Sequence, residues 1–237
     1  MYKTLTVFLF SFILLSLDSY AWPCKDGSGQ VETYNRNLSD FNKVIIKGSG
    51  TLKVKQSNNF KVQITVDDNL IELIESKINN GILVIQPKKE ICPSKYVIMI
   101  EMPEVEALGV KGSGEIISIG KIKSEELKIR IDGSGDINMD LDVKDLSLKI
   151  NGSGDMDVRG QAGDVQANIN GSGDINMFDC ICDNFNIEVN GSGDALIHSK
   201  GAINVLIRGS GDVTYKGSPE ELDVEIYGSG ELKKIKR

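Results

Sequence analysis

The chain has 237 residues, 27 Lys and Arg against 34 Asp and Glu, a net charge of −7, and only 6% aromatic residues. That balance excludes nucleic acid as a partner, because neutralising phosphates takes a basic face. The length suits one elongated domain rather than several.

Residues 1–21 read as a secretory signal peptide. Lys3 gives a positive start, Leu5 to Leu17 is apolar apart from a few hydroxyls, and Ser19 and Ala21 are the small residues before a cleavage site. The apolar run is short for a membrane span of about 20 residues. No second hydrophobic span follows, so the mature chain is expected without a transmembrane segment. Cys24 follows Ala-Trp-Pro, which does not suit a lipid-modified cysteine. Residues 22–37 form an N-terminal extension before a repeat domain at 38–237.

Export permits disulfides, and Cys24, Cys92, Cys180 and Cys182 allow three pairings. Cys24 with Cys92 is the favoured pair, since both lie in the less regular N-terminal part. Cys180 and Cys182 face the same way if they lie in one strand.

From Phe41 to Pro103 the pattern is strand-rich but interrupted. Val44–Ile46, Leu52/Val54 and Val62/Ile64/Val66 are strands around Gly48-Ser49-Gly50. Asp68-Asn69 is expected to cap a short helical turn at Leu70–Leu73. Asn80-Gly81 reads as a tight turn before Ile82–Ile85, and Tyr96–Ile100 is a further strand.

The organising feature is Gly-Ser-Gly, beginning at Gly27, Gly48, Gly112, Gly133, Gly152, Gly171, Gly191, Gly209 and Gly228. From Gly112 onward it returns about every 20 residues, the mark of a repeat architecture. Between the turns apolar residues alternate with polar ones, as in Leu146/Leu148/Ile150, Val165/Ala167/Ile169 and Phe185/Ile187/Val189. Each repeat is therefore read as two half-buried strands with two turns. A β-solenoid and an antiparallel meander both fit, and Asn151-Gly152, Asn170-Gly171 and Asn190-Gly191 would suit hairpins. The near-constant period favours the solenoid. On that reading the three triplets stack in register, and an atypical end closes the stack.

The chain resembles the putative auto-transporter adhesin, head GIN domain family of exported bacterial proteins. The resemblance lies in the strand Phe41–Lys47 into Gly48-Ser49-Gly50, and in Val62–Asn69 with Asp67-Asp68-Asn69. It extends to Asn80-Gly81-Ile82-Leu83-Val84-Ile85 and the Gly-Ser-Gly-Asp turns. It covers roughly residues 38–237, implies a right-handed parallel β-helix and an adhesin role, and carries no catalytic residues with it.

No enzyme chemistry emerges from the residues. His198 is the only histidine, and neither a nucleophile elbow nor a P-loop is present. His198 with Cys180 and Cys182 matches no zinc spacing. Asp136, Asp140, Asp142, Asp155 and Asp157 supply carboxylates, but stacking satisfies a glycosidase spacing trivially. No catalytic residue and no cofactor is therefore assigned. The acids after the turns raise one metal question. Asp155, Asp174, Asp194 and Asp212 would form a ladder that could take Ca²⁺, against the favoured reading that each bonds its own turn. The reading is a secreted or periplasmic, cell-envelope scaffold that binds a surface glycan or protein. A polysaccharide-acting solenoid enzyme and a self-assembling envelope protein are the alternatives.

Overall fold

The computed structural model describes residues 24–235. The signal-peptide reading at 1–21 and the start of the extension at 22–23 lie outside the described residues. The described chain is nearly all strand, with one 3-10 turn at Ile71–Leu73. It winds into a parallel β-solenoid of about seven turns with coils of about 19 residues.

Each coil has an approach run leading into Gly-Ser-Gly and a departure run leading out. The approach runs pair parallel and without slippage: Leu146 on Val165 on Phe185, Leu148 on Ala167 on Ile187, Ile150 on Ile169 on Val189. The triplets read from the sequence are thus stacked as expected, and the parallel sense excludes the meander. Departure runs stack likewise, with Ile116 on Ile137 on Met156 on Ile175 on Ala195 on Val213. All of these side chains point inward and are buried. Burying one such aliphatic side chain contributes about 1.5–3 kcal/mol, so the columns hold the stack together.

The two-strand repeat needs correction in the middle coils. Glu115–Gly133, Asp136–Gly152 and Met156–Gly171 each run as one bent strand, bonded to the neighbouring coil around the bend. Later coils break it, as at Ala195–His198 and Ala202–Gly209, and so does the earlier step from Tyr96–Met102 to Ala107–Gly112.

Both glycines of the turn are required. Gly152 has φ 136, a conformation that suits glycine. A Cβ on Gly173 would run into the carbonyl oxygen of Gly154 one coil below. The Asn-Gly signals therefore mark a corner where the chain continues in the same sense, not a hairpin.

The N-terminal end is built differently. Beneath Lys43–Gly48 and Thr51–Gln56 lie Ile82–Pro87 and Tyr96–Met102, still parallel. Antiparallel strands then close both faces: Ile74–Asn79 on one, Lys61–Asp67 and Val31–Arg36 on the other. Asn80 (φ 49) and Gly81 (φ 74) make the tight turn read from the sequence. The segment at 24–37 contributes Val31–Arg36 to this closing layer, while Lys25–Asp26 pairs parallel with Ile91–Cys92 in a separate two-stranded sheet, and Cys24 is disulfide-bonded to Cys92.

Candidate functional surface

The acid after each turn has a partner that the sequence did not reveal. Asp155 Oδ1 accepts the backbone N–H of Asp174 at 2.9 Å, Asp174 Oδ1 that of Asp194 at 2.7 Å, and Asp194 Oδ1 that of Asp212 at 2.7 Å. Asp212 Oδ1 continues the series to the N–H of Glu231 at 2.9 Å. Each carboxylate thus binds the next coil rather than its own turn. The cause lies in the corner geometry. There the Asp carbonyls accept from the coil beneath, as Asp174 O does from Met156 N at 2.9 Å. The Asp N–H needs an acceptor from below, and the carboxylate supplies it. One oxygen per side chain is committed this way, and Asp155, Asp174 and Asp194 stand exposed to water.

A second ladder runs just before the turn. Asn151 donates to Asp132 at 2.7 Å, Asn170 to Asn151 at 3.1 Å and Asn190 to Asn170 at 3.1 Å. The Arg130 guanidinium beside Asp132 holds its carboxyl below the usual aspartate range, helped by Asn151.

The outer side of the approach face carries a row the sequence reading passed over. Ser147, Gln166, Asn186 and Asn204 occupy one register position in four successive coils. Glu126, Asp145, Asp164 and Asn184 form a parallel row. Between them lies a groove of about 330 Å³ whose floor includes Leu146, Val165 and Phe185. Asn184 is held by donating to Asp164 at 2.8 Å and by accepting from Ala202 N at 2.9 Å. The rungs of this groove repeat about every 4.8 Å along the axis. The signal was available in the sequence: a polar residue one place after Leu146, Val165, Phe185 and Ile203.

The other candidates are placed as follows. Cys180 and Cys182 are buried free thiols that pair with Gly160 and Ala162 of the coil below. The Cys182 thiol donates to the Cys180 carbonyl at 3.6 Å, and the Cys180 thiol together with burial pushes its pKa up. His198 sits half-buried in Ala195–His198, opposite Lys216 in the next coil. Asp140 pairs with Lys121, and Asp157 with Arg159. Asp157 and Asn176 flank the acid ladder in a second groove of about 340 Å³.

Gly27-Ser28-Gly29 resembles the repeat turns but lies outside their column. It wraps around Asp67, a fully buried carboxylate. Asp67 accepts from Gly29 N at 2.7 Å, Ser94 N at 2.8 Å and Ser94 Oγ at 2.7 Å. The Ser94 hydroxyl, and then backbone N–H groups, lower its pKa against the opposing effect of burial. The expected helix cap is also corrected. The turn at Ile71–Leu73 has no side-chain cap, because Asn69 instead accepts from Ser28 N at 3.0 Å and donates to Asp26 O at 2.9 Å.

A parallel solenoid with laddered polar corners and an amide-lined outer face is the class of protein these features define. The chain belongs to the family described as putative auto-transporter adhesin, head GIN domain, whose model matches residues 40–219. A putative adhesin from Bacteroides fragilis NCTC 9343 is 25% identical, with a TM-score of 0.80 over 89% of this chain and 99% of that one. A putative lipid binding protein from Parabacteroides distasonis ATCC 8503 is also 25% identical, with a TM-score of 0.78 over 90% of this chain and 100% of that one. A putative adhesin from Parabacteroides merdae ATCC 43184, at 23% identity and a TM-score of 0.70 over 89% and 98% of the two chains, shares the fold. Among curated proteins none matches the chain. Among the described residues no helix is long and apolar enough to cross a membrane.

Proposed function

We propose that this chain is an exported, non-catalytic adhesion scaffold of the bacterial envelope, and that it holds an extended surface glycan along the amide groove. The observation that carries the reading is the in-register row Ser147, Gln166, Asn186 and Asn204. A carboxamide both donates and accepts, as a sugar hydroxyl does. A row of them at strand spacing offers a linear polyol a matching contact at each rung. The facing row adds acceptors at Asp145 and Asp164. The adhesin names of the family and of two relatives support the same role.

The test is a glycan array probed with the chain purified after export, alongside the double variant Gln166→Ala/Asn186→Ala and phospholipid vesicles as a separate arm. The expected result is binding to one class of glycan, lost in the variant while the melting temperature stays put. Binding to vesicles alone, or glycan binding that the variant leaves intact, overturns the assignment.

A further inference from the structure

We infer that the C-terminal end of the solenoid is an interface for a second copy of this chain, joined end to end about a two-fold axis. The two ends of the stack are finished differently. At the N-terminal end antiparallel strands cover both faces, and the Arg36 guanidinium donates to the carbonyls of Ile71 and Ile74 at 3.3 and 3.4 Å. At the other end, among the described residues, Glu221–Gly228 pairs only with Ala202–Gly209, and Leu232–Lys234 only with Val213–Lys216. Both leave one strand edge open, the usual template for pairing with another chain; Val31–Arg36 and Ile74–Asn79 also pair on one side only, so it is the exposed core columns that set the C-terminal end apart.

The core columns also run out uncovered there. Leu222 and Ile226 occupy the positions that Ile203 and Ile207 fill one coil below, yet they are 43% and 38% exposed. Tyr227 and Ile235 are exposed beside them, so four of the six exposed large apolar residues among those described cluster at this one end.

Charge selects the occupant. The outward side chains of the approach strand are Glu221, Asp223 and Glu225; on the departure strand Lys233 points outward, paired with Asp212 and Glu231 of its own chain, and exposed Lys234 follows it in the column of Tyr215. A two-fold axis through the Gly228-Ser229-Gly230 corner lays the acidic strand of each copy antiparallel across the basic strand of the other. Acidic on acidic, or basic on basic, is repulsive across strands. The contact is isologous, so it closes at two copies and does not extend into a fibre.

The experiment is sedimentation velocity over a concentration series in low salt, with two charge variants. One carries Glu221→Lys/Asp223→Lys/Glu225→Lys and the other Lys233→Glu/Lys234→Glu. The wild type is expected at twice the mass of one chain, each variant alone at the mass of one, and their mixture back at twice. Hydrogen exchange on the wild type gives a readout that does not depend on the variants folding: amides in 221–227 should gain protection as concentration rises. A wild type that stays at single-chain mass, or a dimer in which these amides gain no protection, overturns the inference.

Discussion

Ile187 is the most informative single position in the stack. It is fully buried, with Ala167 beneath it and Val205 above it in the same inward column. Ile187→Ala removes atoms from a site whose lower neighbour is already the smallest side chain in the column. No long side chain can lean in to refill the space. Burial-to-cavity substitutions of this kind cost about 2–5 kcal/mol, and poor collapse places this one near 3–4 kcal/mol. For a domain of this size each kcal/mol lowers the melting temperature by about 2–4 °C, so a fall of about 6–16 °C is expected by circular dichroism. Ala167→Ile in the same chain should return part of it, because the volume reappears one coil lower. Ile187→Asp should do more, melting adjacent coils together, since an unpaired charge lies between aliphatic rows and each coil depends on its neighbours for burial. Hydrogen exchange should then rise across 146–150, 165–169 and 203–207. A melting temperature for Ile187→Ala within a degree or two of wild type would refute the placement.

Three further outcomes follow from the corners and the closing layer. Gly173→Ala should destabilise the chain by about 1–3 kcal/mol in denaturant titration, because its Cβ meets the Gly154 carbonyl; a neutral result contradicts the close stacking. Millimolar Ca²⁺ against chelator, at matched ionic strength, should leave the melting temperature unchanged. The ladder acids already hold backbone N–H groups, and a specific rise of more than about 5 °C would make the row a metal site. Asp67 has a depressed pKa in the folded chain, so its stabilisation is full above the ordinary aspartate value of 3.8 and is lost as pH falls through the lowered one. Exchange at the Gly29 and Ser94 amides should therefore accelerate selectively below that pH, and Asp67→Asn should show the fast exchange already at neutral pH. Equal rates at pH 7 in both forms would remove Asp67 as the anchor.

The solenoid was legible because its determinants are local and repeated. The offset of Leu146/Leu148/Ile150 from its turn equals that of Val165/Ala167/Ile169, and parallel stacking reads this offset directly. What was hidden depends on the third dimension. The Asp carboxylates bond upward rather than to their own turns because an N–H at the corner lacks a backbone acceptor, a fact of stacking that no single repeat displays. Gly27-Ser28-Gly29 copies the turn tripeptide yet folds around Asp67, since it is not followed by a departure run that can stack. Asn69 looked like a helix cap, but the N-terminal segment lies closer and takes its side chain. The groove row escaped notice because Ser, Gln and Asn are chemically akin without being identical, so a search for repeated letters misses them.

The acid ladder has a consequence for how such a chain changes length. Every coil from Asp136 onward presents the same coupling hardware, a carboxylate oxygen toward one neighbour and a backbone N–H toward the other. A coil copied or deleted between two Gly-Ser-Gly-Asp corners leaves each surviving joint with a donor and an acceptor in place. Among the described residues the ends differ from these joints: the closing layer with its Cys24–Cys92 bond, and the final described coil at Glu221–Lys234. Gene duplication or loss of one repeat would therefore move the two ends apart or together by about 4.8 Å and add or remove one rung of the outer face, so the reach of the molecule is adjustable in steps without redesigning any joint.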